Sequence, residues 1–141
     1  MYYNFFYRIF LVFLLIVPSV TLADEAGDAK SSAAKINDLV AEGKYSIIYD
    51  SYTSKWYQKR VTKDGFVSNL TLGRQMLGKR KSKALIDQGY ATNDPTGYEG
   101  AIYGFTYKNT YTSVSLYEKI VVINEDGKGF KLAGFFAQPA E

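Results

Sequence analysis

Apolar and polar residues alternate with a period of two through the last third of the chain. Ala101, Tyr103, Phe105 and Tyr107 alternate with Ile102, Gly104, Thr106 and Lys108, the spacing that gives a strand one apolar face. Leu116 to Ile123 is a longer run of β-branched residues, with Val114, Leu116, Glu118, Ile120 and Val122 in one phase. Phe130 to Phe136 follows Glu125-Asp126-Gly127, a turn in which Gly127 is expected at positive φ. Three successive antiparallel strands are therefore predicted between Gly97 and Pro139.

Upstream the spacing becomes helical. Ala33, Ile36, Leu39 and Val40 fall on one face, with Ser31 or Ser32 as cap and Gly43 as stop. Tyr45, Ile48, Tyr49, Tyr52 and Trp56 continue the pattern and predict a second helix from about Ser46 toward Arg60. At that spacing an aromatic stripe reads as core rather than as a ligand box. Thr62 caps a third helix, with Asp64 in its first turn and Phe66, Leu70 and Leu77 as its apolar face. Gly78 ends it. Lys79 to Asn93 reads as the first strand, with Lys79, Lys81 and Lys83 on one face and Arg80 on the other. Asn93 to Gly97 is dense in turn formers. The expected fold is α+β, three helices on a curved four-stranded antiparallel sheet, over residues 33–139. Residues 24–32 are expected to be a flexible lead-in.

Met1 to Ala23 reads as a secretory signal peptide. Arg8 and the terminal amine supply positive charge, Ile9 to Val17 is unbroken apolar sequence, and Thr21-Leu22-Ala23 offers small residues for cleavage. The apolar run is shorter than the roughly 20 residues of a membrane span. An exported, periplasmic or secreted address is expected. The 141 residues hold neither Cys nor His, which excludes disulfides, thiol nucleophiles, Ser-His-Asp catalysis and ordinary zinc sites. A net charge of +3 gives no case for nucleic acid. No cofactor motif and no metal-binding pattern is expected; Asn124-Glu125-Asp126-Gly127 lacks the ligand ladder of a calcium loop.

Several local patterns together resemble one family. They are Arg74-Gln75-Met76-Leu77-Gly78 before a basic strand, Pro95-Thr96-Gly97 before the next, and the closing LYEKIVVINEDGKGFKLAGFFA. Gly43-Lys44-Tyr45, with Tyr49 four residues on, is similar to that family's junction between its first two helices. The family is the short exported bacterial domain of unknown function 4019, and the likeness runs from about Ala33 to Ala137. Phe66 stands where the family usually has Trp, Lys83 where it has Arg, and one residue is added near Tyr98-Glu99. The resemblance implies a cone similar to the nuclear-transport-factor-two and ketosteroid-isomerase superfamily. It implies no catalytic residues.

Glu118 is the first candidate for chemistry, because its phase in the third strand is apolar. A carboxylate there must be paired or must lose its charge. Arg74 and Lys83 are the cations expected to meet it. Such a group is read first as a buried ion pair and second as the floor of a pocket lined also by Tyr103 and Tyr107. The run Lys79-Arg80-Lys81-Ser82-Lys83 is read as an edge-strand guard rather than a polyanion site. The leading function is non-enzymatic binding of a small ligand or an envelope partner in the cone. The alternatives are a lyase or isomerase with Glu118 as base and a Tyr hydroxyl as donor, and an interaction protein whose cone is filled by its own aromatics.

Overall fold

A computed structural model describes residues 22–141. Four helices precede the sheet: α1 Leu22–Ala41, α2 Tyr45–Tyr52, α3 Lys55–Gln58 and α4 Lys63–Arg74. The strands are β1 Arg80–Asn93, β2 Glu99–Tyr111, β3 Ser115–Ile123 and β4 Lys131–Pro139, antiparallel in the order β1-β2-β3-β4. The α+β class and the four-stranded sheet are as the sequence predicts. Among the described residues the helix count is four rather than three.

The extra helix comes from a break in the aromatic stripe. Thr53 is extended and bridges Leu132 on β4, while the Ser54 amide donates to the Leu132 carbonyl at 2.9 Å. Ser54 then caps α3, its hydroxyl accepting from the Tyr57 amide. A β-branched residue followed by a strong capping residue yields its helical bonds cheaply when a strand edge offers replacements. Ile48, Tyr45, Tyr49 and Tyr52 still face the core, as the spacing predicts. Trp56 does not: it turns round the β4 side to meet Tyr98, ring centroids 5.5 Å apart.

The lead-in also differs. Residues 24–32, expected to be flexible, form the first half of α1, with Asp24 and Glu25 favourably placed in its first turn. Ala26 and Ala29 extend the stripe of Ala33, Ile36 and Val40 by further turns, and Ala carries no side-chain entropy cost in a helix. Ser32 is no cap; its hydroxyl donates to the Phe130 carbonyl at 2.7 Å. The expected signal peptide lies outside the described residues, apart from Leu22 and Ala23 at the start of α1. No helix among the described residues is long and apolar enough to cross a membrane.

α1 packs chiefly on β3, with β2 and β4 beside it, and α2 and α4 pack on each other. Tyr103, Phe105 and Tyr107 from β2, Ile120 and Val122 from β3, and Leu132 from β4 fill the space beneath the helices. Gly127 turns β3 into β4 at φ 71°, as the sequence predicts. Nothing crowds a side chain there, so only the backbone opposes one. Gly127→Val should therefore cost more than about 1 kcal/mol in a urea melt, and a variant melting with wild type would refute the strain. Gly78, after α4, is fixed twice over: φ is 72° and an added Cβ would stand 2.8 Å from the Thr112 Cβ.

Candidate functional site

The buried polar groups gather at the end of the sheet where β1 begins and β2 ends. Arg74 is the last residue of α4, and its side chain is 7% exposed. Its guanidinium Nη1 donates to Glu118 Oε1, and Nη2 donates to the Tyr111 hydroxyl. Glu118 Oε2 accepts from Asn109 Nδ2 and from the Tyr111 hydroxyl at 2.9 Å. Glu118 is fully buried, as its phase in β3 requires. Arg74 and Glu118 thus meet, as the sequence predicts. Burial disfavours the Arg74 cation, but the Glu118 carboxylate outweighs it and raises the guanidinium above its usual value.

Lys83 does not join them. Its ammonium donates to Asp38 Oδ1 on α1 at 2.6 Å, and Arg80 Nη2 donates to the same oxygen at 2.5 Å. Simple alternation puts Arg80 and Lys83 on opposite faces, but a register shift between Arg80 and Ser82 realigns them. One extra residue in a strand exchanges the faces of everything beyond it. Desolvation opposes the Asp38 charge, yet hydrogen bonds from Lys83 and Arg80 hold its carboxyl below the ordinary value. Arg80 Nη1 also donates to Asn37 Oδ1 at 3.0 Å, and Asn109 Nδ2 donates to that oxygen at 3.3 Å. Asn37 and Asn109 therefore join the two ion pairs into one network across α1, α4 and three strands.

Tyr103 and Tyr107 take different places. Tyr103 sits in the aromatic core, its ring centroid 5.4 Å from Phe130 and 4.9 Å from Tyr90. Tyr107 lies under Lys83, whose ammonium is 5.9 Å from the ring centroid. Its hydroxyl is buried and, among the described residues, has no hydrogen-bond partner. Burial, then the Asp38 charge, pushes the Tyr107 phenol up to about 12. For Tyr111, burial and then the Glu118 charge do the same, also to about 12.

Asn37, Asp38, Asn109 and Tyr111 were not singled out by sequence, and Arg80 was read only as part of a basic edge-strand guard. Asn109 and Tyr111 continue the phase of Tyr103, Phe105 and Tyr107, so extending that alternation by two steps finds them. Asn37 follows Ile36 on the buried side of α1 and carries no such signal.

The chemistry available here is limited. Both Glu118 oxygens are engaged, and no solvent reaches the carboxylate. Arg74 and Tyr111 also border a surface cleft of about 250 Å³ between the α1 end and the α4 end. Among the described residues there is no cluster of acidic side chains able to hold a metal ion. A larger hollow of about 560 Å³ lies on the other face of the sheet, over Gly104, Lys119, Val121 and Phe136.

A helix-covered antiparallel meander, closed inside by aromatics and tied at one end by a buried ion-pair network, defines a small α+β domain. The chain belongs to the family described as Protein of unknown function (DUF4019), whose model matches residues 32–135. No curated protein and no solved structure matches it.

Proposed function

We propose that the domain is a non-catalytic interaction module of an exported bacterial protein. One observation carries this reading: the space between helices and sheet is occupied by the protein's own side chains. Tyr103, Phe105 and Tyr107 are each less than one-tenth exposed there. Small-ligand binding deep within the cone finds no support in such an interior, which opens into a hollow of about 250 Å³ bordered by Ala26, Tyr90, Tyr103 and Phe105. Catalysis by Glu118 fares no better, because a general base must reach the proton it removes. The order of helices followed by a four-stranded meander supports the cone-type fold of nuclear-transport-factor-two relatives. On this reading the network of Glu118, Arg74, Asn109 and Tyr111 locks α4 to the sheet, and recognition falls to the outside of the domain.

Native mass spectrometry of protein purified from its own host tests both halves. The expected species begins at Asp24 and carries no small molecule. A retained ligand would overturn the interaction-module reading. An intact Met1 chain would overturn export through a cleaved leader.

A further inference from the structure

We propose that the outer face of the sheet is the contact surface for a second copy of this chain, packed face to face about a two-fold axis running along β2. The inference deepens the interaction-module reading by naming the partner. The helices pack on the inner face, and the outer face is bordered at one end by Trp56 and Tyr98.

The strand register shows which residues share that outer face. Ala84 pairs with Lys108 and Lys108 with Tyr117; Asp87 pairs with Thr106 and Thr106 with Lys119; Gly89 pairs with Gly104 and Gly104 with Val121. Each cross-row therefore has a small or acidic residue on β1 and a large or basic one on β3. Both strands lie one spacing, about 4.8 Å, from β2. A two-fold axis along β2 lays the β1 of one copy over the β3 of the other. Ala84 then faces Tyr117, Asp87 faces Lys119, and Gly89 faces Val121. Each contact occurs twice, as an isologous interface requires. Neither Asp87 nor Lys119 has a salt-bridge partner among the described residues.

The axis itself crosses Thr106 and Gly104, and the Lys119 side chain folds across Gly104 toward the axis, its Cε 3.1 Å from where a Cβ would stand, within the gap of sheets that pack about 10 Å apart. Lys108 also lies on it, but its ammonium leans toward the Tyr117 ring, 5.9 Å from the centroid. At the margin, Phe136 in β4 shares the row of Asp87 and Lys119. The two-fold operation carries it just past the β1 edge, where the register shift leaves Ile86 unpaired. These two side chains are 62% and 51% exposed, a cost that mutual contact removes.

Sedimentation equilibrium of the purified chain tests this. A reversible dimer is expected, with Asp87→Lys raising its dissociation constant at least about tenfold, since the like charge is met twice. The exchanged pair Asp87→Lys with Lys119→Asp should return to within about threefold of wild type. Phe136→Glu should weaken the dimer while leaving the thermal melt in place. Monomer up to about 0.1 mM overturns the proposal. So does a dimer indifferent to Asp87→Lys and Phe136→Glu, or an exchanged pair no tighter than the single change. A monomer leaves the interaction-module reading standing, whereas a retained interior ligand defeats that reading and leaves the dimer test unaffected.

Discussion

Glu118→Gln is expected to destabilise the fold by about 3–5 kcal/mol, and Arg74→Met by a similar amount. Each single change leaves a buried group without its counter-charge. With Glu118 reduced to an amide, Arg74 keeps a nearly inaccessible guanidinium beside only Tyr111. With Arg74 replaced, Glu118 keeps Asn109 and Tyr111 as donors but no cation. The double variant strands neither charge, so its cost should fall well below the sum of the two. Denaturant melts of the three variants read this out. Additive or negligible changes would show that the pair does not hold α4 to the sheet.

The second large effect is alkaline. An unfolded Tyr titrates near 10, whereas Tyr107 and Tyr111 stay protonated in the fold up to about 12. Below pH 10 both states hold these protons and the stabilisation is complete. As pH rises toward 12 the unfolded chain gives them up first, and stability falls. A gap of about two pH units is worth roughly 2–3 kcal/mol for each phenol. Lysines also lose charge in this window, and two variants separate the contributions. Tyr107→Phe deletes a buried hydroxyl that has no partner among the described residues, so it should be neutral or stabilising by about 1 kcal/mol at pH 7 and flatten the alkaline decline. Tyr111→Phe removes bonds to Arg74 and Glu118 and should cost about 1.5–3 kcal/mol already at pH 7. Urea melts from pH 8 to 12 supply the comparison; equal alkaline slopes for wild type and Tyr107→Phe would refute the assignment.

The sheet was legible in the sequence because β2 and β3 keep strict alternation over their buried faces, and that alternation places Glu118 inward. Arg74 was legible as its partner from its position at the end of α4. The facing of β1 was not, because bulges carry no strong residue signature: the shift between Arg80 and Ser82 returns Arg80 and Lys83 to one face, and further shifts follow before Asp87 and before Asn93. The division of the second helix was hidden for a different reason. Thr53 and Ser54 fit a helix until the β4 backbone is beside them, which is tertiary information. The start of α1 was misread because Asp, Gly and Ser suggest a flexible segment, while the stripe of Ala26, Ala29 and Ala33 is too small-sided to register as apolar periodicity.

The hydroxyl of Ser32 bonding the Phe130 carbonyl joins residues 98 positions apart. Its neighbours on α1 likewise bury against β3 and β4, the last two strands to leave the ribosome. Helix α1 is therefore made first and satisfied last. Until β3 and β4 exist, its apolar stripe lacks most of the sheet it lies on, and an amphipathic helix takes most of its stability from such packing. The meander zips through neighbouring hairpins, but the closing step spans nearly the whole domain and carries a long loop-closure cost. Cooperative closure therefore waits for β3 and β4, the strands that carry most of the contacts between α1 and the sheet. A chain truncated after Gly127 should show no cooperative melt.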